Sequence, residues 1–98
     1  MDKDVLKFLA DMFKYLGAFS YSSSNLELFG AIIEHDYCLN WWYKEEERKI
    51  EITLFTPLPD CGLDYNRMQE LLAKRFSKSD KVSKVMRVGA RRIDVYLK

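Results

Sequence analysis

The sequence predicts a single α+β domain: a helix, two or three strands, a second helix and a two-stranded hairpin, with both helices on one face of an antiparallel sheet. Two observations indicate this fold class. Apolar residues recur at three- and four-residue spacing in residues 2–17 and 64–77, as in amphipathic helices. Residues 26–36, 37–56 and 81–98 instead alternate apolar and polar residues, as strands do.

The composition is that of a small globular domain. The chain has 98 residues, of which 48% are hydrophobic and 32% are charged, which argues against intrinsic disorder. No apolar run approaches the roughly 20 residues that span a bilayer. Acidic residues among the first lysines argue against a secretory signal. We therefore expect a cytoplasmic protein that does not associate with a membrane.

Charge is distributed unevenly along the chain. Residues 1–63 hold 6 Lys and Arg against 11 Asp and Glu, a net charge of −5. Residues 64–98 hold 10 Lys and Arg against 4 Asp and Glu, a net charge of +6. Such asymmetry indicates a charged partner, which is nucleic acid, an acidic protein or a second copy of the chain.

The first helix begins at Asp2 or Asp4 and ends at Gly17. Its apolar face is Val5, Leu6, Phe8, Leu9, Met12, Phe13 and Leu16. Its polar face is charge-balanced rather than basic, so we expect it to pack on the sheet and not on a membrane surface. A polar connector follows over residues 18–25.

The segment that follows the connector, residues 26–36, reads as a strand. A tight turn at His35-Asp36 places Ile32, Gly30 and Phe29 opposite Leu39, Trp41 and Trp42. The alternative is one long bent strand over residues 28–43.

The central hairpin covers residues 37–56. A turn at Glu45-Glu46 makes Lys44 face Glu47 and places Tyr37, Leu39 and Trp41 opposite Leu54, Ile52 and Ile50. One face is then almost wholly apolar and should form the core. The other face carries Cys38, Asn40, Trp42, Lys49, Glu51, Thr53 and Phe55.

Asp64 is the predicted cap of the second helix, whose apolar stripe is Tyr65, Met68, Leu71, Leu72 and Phe76. In the last hairpin, a type II′ turn at Gly89-Ala90 places Val82, Lys84 and Met86 opposite Leu97, Val95 and Ile93. The predicted core face is Val82, Met86, Val88, Ile93, Val95 and Leu97, and the predicted outer face is Ser83, Val85, Arg87, Arg92, Asp94, Tyr96 and Lys98.

In this register Arg87 lies opposite Arg92, and like charges destabilise a strand pair. The pair is either solvated or relieved by an acid or a bound phosphate. For the domain as a whole, the predicted core is Leu9, Met12, Leu16, Leu39, Trp41, Ile52, Leu54, Met68, Leu72, Phe76, Ile93 and Val95.

Catalytic and metal-binding motifs are absent from the sequence. Cys38 and Cys61 have no C-x-x-C spacing, and one His leaves too few ligands for a zinc site, so we expect free thiols without metal. The segment Glu34-His35-Asp36 falls at a predicted turn, where a lone His is usually solvated. P-loops, nucleophile elbows and dinucleotide glycine patterns are missing. We expect neither an enzyme nor a cofactor.

Our first functional hypothesis is a non-enzymatic interaction protein that forms a homodimer. Phe29, Trp42 and Phe55 fall on the outer face of the sheet, and such a patch is typical of a protein interface. A sheet edge is a second candidate surface for contact with a protein partner. Alternatively, Lys49 shields Trp42, or Phe19 and Tyr21 fold over the patch. The size and lack of motifs suit small adaptors and inhibitors of phage or viral origin.

The alternative hypothesis is a nucleic-acid-binding protein that uses its basic C-terminal half. Basic residues beside an aromatic ring suit a phosphate backbone and a base. The candidate residues are Lys81, Lys84, Arg87, Arg91, Arg92 and Tyr96.

Overall fold

A computed structural model describes residues 2–13, 22–24, 27–34, 37–55 and 64–98. In this part of the chain the helices are α1 (Asp2–Met12) and α2 (Tyr65–Ser77). The strands are β1 (Ser22–Ser24), β2 (Glu27–Glu34), β3 (Tyr37–Lys44), β4 (Lys49–Phe55), β5 (Val82–Val88) and β6 (Arg92–Leu97).

The described strands form one antiparallel sheet in the order β1-β2-β3-β4-β6-β5. The predicted α+β class and the order of helix, strands, helix and hairpin are therefore confirmed. One strand was missed, because the serines of the predicted connector pair with β2, with Ser22 opposite Phe29. The rest of that connector, including Phe19 and Tyr21, lies outside the described residues, as does the predicted end of α1 at Gly17.

The pairing of β2 with β3 agrees with the predicted register. Phe29 lies opposite Trp42, Gly30 opposite Trp41 and Ile32 opposite Leu39. The chain therefore forms two strands here and not one long bent strand over residues 28–43. The turn residues His35 and Asp36 are outside the described part.

The central hairpin has the predicted faces but not the predicted register. Tyr43, Trp41 and Leu39 lie opposite Ile50, Ile52 and Leu54, two residues away from the prediction. The cause is the turn, which takes the four residues Glu45–Arg48 instead of two and ends with Arg48 at φ 50°. A shift of two residues keeps every side chain on its face, because side chains alternate with a period of two.

The last hairpin differs from the prediction by one position, and this changes its faces. Its turn takes three residues from Gly89, at φ 62°, so Arg87 lies opposite Ile93 and Met86 opposite Asp94. The predicted Arg87–Arg92 pair is therefore wrong. Met86 and Val88 leave the predicted core face, and Val85, opposite Val95, joins it. A register irregularity at Ser83 returns Val82 to the core.

The core lies between the sheet and both helices. Phe8 and Phe13 at α1 contact Phe76 of α2, with ring centroids 5.8 and 5.6 Å apart. Of the predicted core, Met12 and Met68 are half-buried and Leu16 is outside the described residues. The other predicted members are buried. Also buried are Val5, Phe8, Phe13, Tyr43, Ile50 and Val82, which were not in that list, although all but Tyr43 were assigned to predicted apolar faces.

One side-chain hydrogen bond caps the first turn of α2, and two more join the helix to the β5–β6 turn. Asp64 caps the helix as predicted, since its carboxylate accepts from the Arg67 backbone N–H at 3.1 Å. The buried Gln69 donates from Nε2 to the carbonyl oxygens of Gly89 and Arg92, at 3.0 and 2.9 Å. These bonds tie the β5–β6 turn to the helix. Neither described helix is long and apolar enough to cross a membrane.

The neighbours Leu71 and Leu72 test the placement of α2. Leu72 is 1% exposed and Leu71 is 46% exposed. Leu72→Ala should lower the free energy of unfolding by about 2–5 kcal/mol, because it removes apolar contacts and leaves a cavity. Leu71→Ala should lower it by less than about 1 kcal/mol. Urea unfolding followed by circular dichroism measures both, and equal losses would contradict the packing described here.

Candidate functional site

The sheet face that points away from α1 and α2 is the candidate functional site, and we call it the outer face. Both described helices pack against the opposite, apolar face. Along the paired strands the outer face alternates with the buried positions. Its described side chains are Asn40, Trp42, Lys44, Lys49, Glu51, Thr53, Phe55, Lys84, Met86, Val88, Arg92, Asp94 and Tyr96.

One row across the outer face joins two exposed apolar side chains through two carboxylates. Trp42 lies opposite Glu51, Glu51 opposite Asp94, and Asp94 opposite Met86. Trp42 is 42% exposed and Met86 is 45% exposed. Three strand spacings separate them, or about 14 Å. The two largest apolar groups of the row thus stand on either side of an acidic centre.

Asp94 is buried although it lies on the outer face. It is 4% exposed, and its carboxylate accepts two hydrogen bonds from Arg92, Nε to Oδ1 at 2.8 Å and Nη2 to Oδ2 at 3.0 Å. Lys49 Nζ lies 3.9 Å from Oδ2. A buried carboxylate loses its hydration, and this two-pronged contact with a guanidinium compensates for the loss.

Lys49 is the centre of the same charge network. Its Nζ lies 2.9 Å from Glu47 and 3.3 Å from Glu51. Glu51 also lies 3.4 Å from Lys44 and 3.9 Å from Arg92. The network therefore pairs the cations Lys44, Lys49 and Arg92 with the anions Glu47, Glu51 and Asp94, and its net charge is zero.

The pKa shifts of three members, Lys49, Glu47 and Arg92, favour their charged forms. A hydrogen bond with Glu47 raises the pKa of Lys49 above 10.5, against the opposing effect of burial. The same bond lowers the pKa of Glu47 below 4.5. A hydrogen bond with Asp94 raises the pKa of Arg92. Opposite charges in contact favour the ionised form of each partner.

Lysine ammonium groups lie over two aromatic rings of the outer face. Tyr96 has Lys84 Nζ at 4.6 Å and Lys49 Nζ at 5.9 Å from its ring centroid. Trp42 has Lys44 Nζ at 5.9 Å. The hypothesis that Lys49 shields Trp42 is therefore wrong, because the two-residue shift in register places Lys49 opposite Lys44 and Tyr96 instead.

The predicted aromatic patch is only partly assembled. Phe29 lies directly opposite Trp42 in the backbone register. Phe55 is half-buried at the end of β4, opposite Cys38. It lies four residues beyond Glu51, the partner of Trp42, which is about 13 Å along the strand. Phe55 therefore does not stand beside Trp42, and Met86 is the apolar residue that sequence reasoning missed on this face.

The structure divides the predicted basic set among four places. Lys84, Arg92 and Tyr96 lie on the outer face. Arg87 lies on the helix side, where its Nη2 donates to Gln69 Oε1 at 2.9 Å and to Asn66 Oδ1.

Of the remaining two, Arg91 stacks at the turn, with its guanidinium carbon 4.8 Å from the ring centroid of Tyr65. Lys81 lies in the connection between α2 and β5. Arg87 and Arg92, which the predicted register places opposite each other, thus have separate polar partners.

Sequence reasoning also missed Gln69, whose position carries a usable signal. Tyr65, Gln69, Leu72 and Phe76 follow one another at four- and three-residue spacing. A polar residue on an apolar helical stripe indicates a buried hydrogen bond. Here that bond anchors the β5–β6 turn, and with it the strand that bears Asp94 and Arg92.

The other candidate groups give no site in the described residues. No three His, Cys, Asp or Glu side chains come together there in a metal-binding arrangement. His35, Asp36 and Cys61 are outside the described residues, and Cys38 is described by its backbone alone. That the two thiols are reduced and metal-free remains a prediction.

Comparisons of the chain with models of protein families, with curated protein sequences and with solved structures find no match.

Asp94→Asn tests the network at its buried end. The substitution removes the charge that Arg92 contacts with two hydrogen bonds. It should lower the free energy of unfolding by about 1–3 kcal/mol, since hydrogen bonds to charged groups contribute about 1.5–3 kcal/mol and Arg92 is partly solvated. Asp11→Asn, on the exposed side of α1, is the matched control and should change stability by less than about 0.5 kcal/mol. Equal losses in urea unfolding would contradict this role.

Glu47→Gln tests the pH dependence of the network. Because the pKa of Glu47 is lowered, its contribution to stability is present above its ordinary pKa of 4.5 and is lost as the pH falls through the lowered value. The variant should therefore be less stable than the wild type at pH 7 and equal to it near pH 2. Unfolding in urea across this range measures the difference. The control Glu46→Gln should show no such trend, and a constant difference for Glu47→Gln would refute the ion pair.

Proposed function

We propose that this protein is a non-enzymatic interaction protein that forms a homodimer through the outer face. The observation that carries the proposal is the pair of exposed apolar side chains, Trp42 and Met86, on a face that neither described helix covers. Aromatic residues and Met are enriched in protein interfaces relative to the rest of a protein surface. A cytoplasmic location belongs to the same proposal and rests on the two isolated cysteines.

The charge network supports burial of this face. Its six charged groups already compensate one another within one copy. A second copy that covers the network therefore does not have to supply opposite charges to it. Isolated charges would make the same burial costly, because each would lose its hydration without a partner.

The sheet edge formed by β5 is a poorer interface than the face. β5 is the edge strand at one end of the sheet, and it carries Lys84, Arg87 and the irregularity at Ser83. Edge lysines and bulges are features that prevent strand pairing between molecules. Two copies paired antiparallel along β5 would also bring Lys84 and Arg87 of one copy close to the same cations of the other.

The outer face comes close to the size that a stable dimer requires. Strands β3, β4, β6 and β5 span about 19 Å across the sheet and about 23 Å along it, from strand spacing and rise. Two such faces provide about 900 Å² in projection, near the total of about 1,000 Å² that a specific interface requires. The contact must therefore extend over the whole face, so that Trp42 and Met86 are both inside it.

An enzymatic function draws no support from the outer face. The acids Glu47, Glu51 and Asp94 each contact a cation there. A general base or nucleophile must be able to accept or donate a proton near its working pH. These three acids are held in ion pairs instead, so they lend no support to a catalytic role.

Nucleic-acid binding remains the alternative, and its support is narrower. Lys84 and Tyr96 provide a cation and a ring on the outer face. Arg92 is already paired with Asp94, and Arg87 and Arg91 contact α2. A phosphate backbone would therefore have to displace existing contacts to reach these arginines.

Trp42→Glu tests the proposed dimer. Placing a charge in the apolar contact should yield a folded monomer, because the carboxylate would be buried without a partner. Leu71→Glu is the matched control, since Leu71 is as exposed as Trp42 but lies on α2. That variant should remain dimeric. Sedimentation at micromolar concentration measures the mass of both, and circular dichroism verifies their folding.

The same sedimentation experiment, repeated with single-stranded nucleic acid at two salt concentrations, separates the alternatives. A wild-type protein that is monomeric throughout would refute the dimer. A complex with nucleic acid that dissociates steeply as salt rises would instead favour the basic residues as the binding surface. Loss of the dimer in both Trp42→Glu and Leu71→Glu would also contradict the outer face as the interface.

A further inference from the structure

A cleft of about 750 Å³ lies at the end of the core, away from the outer face. It is bounded by α1, by the β3–β4 turn, by the α2–β5 connection and by the end of β6. The backbone N–H of Leu97 donates to Arg48 O at 2.8 Å and that of Lys98 to Lys81 O at 2.9 Å. These bonds tie the two turns to the last strand, so three of the four walls are joined.

The floor of the cleft is apolar. Val5, Phe8 and Tyr43 form it together with Leu97, and the first three are almost fully buried. The volume lies within the range of about 300–1,000 Å³ that small-molecule sites occupy. Such a floor suits an aromatic or aliphatic group, because binding it removes apolar surface from water.

The rim of the cleft is charged and has an excess of cations. Two acidic side chains, Asp4 and Asp80, line it beside four basic ones, Lys7, Arg48, Lys81 and Lys98. Within the described part of the chain, none of these four basic side chains forms an ion pair. The rim therefore differs from the outer face, where Lys44, Lys49 and Arg92 each contact a carboxylate.

The backbone at Arg48 is an independent observation on the same wall. Arg48 has φ 50°, a conformation that favours glycine and costs a residue with a side chain roughly 1 kcal/mol. Glycine at this position would relieve the strain and would also remove one cation from the rim. A strained residue that places a charged side chain at a cleft indicates a functional constraint.

We propose that this cleft binds a small amphipathic anion. The apolar body of the ligand lies on Val5, Phe8 and Tyr43, and its carboxylate, sulfonate or phosphate contacts Lys7, Arg48 and Lys81. The site is separate from the outer face and does not depend on dimer formation. It assigns a binding role to basic residues that take no part in the charge network.

Titration of the full chain with 8-anilinonaphthalene-1-sulfonate tests the site, because the dye fluoresces on apolar surface and carries one negative charge. One equivalent should bind saturably, and decanoate should compete with it. Decyltrimethylammonium, which has the same alkyl chain and the opposite charge, should not compete. Affinity should fall as salt rises, because the rim is exposed.

Two variants connect the binding to the rim. Joint Lys7→Gln and Lys81→Gln should weaken dye binding about fivefold or more, from the loss of two exposed charge contacts. Arg48→Gly should weaken binding while leaving the protein at least as stable as the wild type, and Arg48→Lys should restore much of the affinity. Lys3→Gln, one turn from Lys7 on the same helix and outside the cleft, is the matched control and should bind as the wild type does.

Three results would overturn the proposal. They are no saturable binding, equal competition by decanoate and its cationic counterpart, and binding unchanged in the rim variants. Each variant alters an exposed side chain, so folding is expected to persist, and circular dichroism verifies it. Binding that vanishes in Trp42→Glu but survives in the rim variants would place the dye on the outer face and would likewise refute the cleft.

Discussion

One-sided burial is the constraint on which the rest of this structure depends. Both described helices cover the same face of the sheet, and rings from α1 and α2 meet at Phe76. The opposite face must therefore be stable without a helix above it. It meets this requirement with a neutral network, in which Asp94 is buried beneath Arg92 and Lys49 is surrounded by acids. The chemistry of the outer face thus follows from the position of both helices of the described residues on the other side of the sheet.

Much of the fold could be predicted because burial depends on alternation alone. The buried positions Leu39, Trp41, Ile52 and Leu54 are identified by a period of two, whatever the length of the turn. Register depends on turn length, which these turn sequences do not specify. An error of two positions at Glu45–Arg48 left the faces intact, whereas an error of one position at Gly89 exchanged the faces of β5 from Lys84 to Val88 and placed Met86 on the outside.

Much of the candidate site could not be predicted, because it is built from cross-strand neighbours. The contact between Arg92 and Asp94 is local, two residues apart on one strand, and was open to inference. Lys49 lies near Asp94, and Met86 lies opposite Asp94 in the same row across the sheet. Both positions can be predicted only when the two hairpin registers and the β4–β6 pairing are known. Gln69 helps to set the register of the β5–β6 hairpin, because its hydrogen bonds anchor the turn of that hairpin. In the sequence, the position of Gln69 on an apolar helical stripe indicates this buried hydrogen bond.

The distribution of paired and unpaired cations divides the molecule into two surfaces with different physical properties. Three cations of the outer face, Lys44, Lys49 and Arg92, are matched by acids, and Lys84 lies over the ring of Tyr96. The paired charges of that face can be covered by another protein surface without separate charge compensation. Cations at the rim of the cleft are unmatched in the described residues and surround a concave apolar floor, which suits a ligand that brings its own negative charge. Net charge alone hides this difference, because the whole chain carries only +1. The arrangement of charges, more than their number, distinguishes a surface suited to a protein from one suited to a small anion.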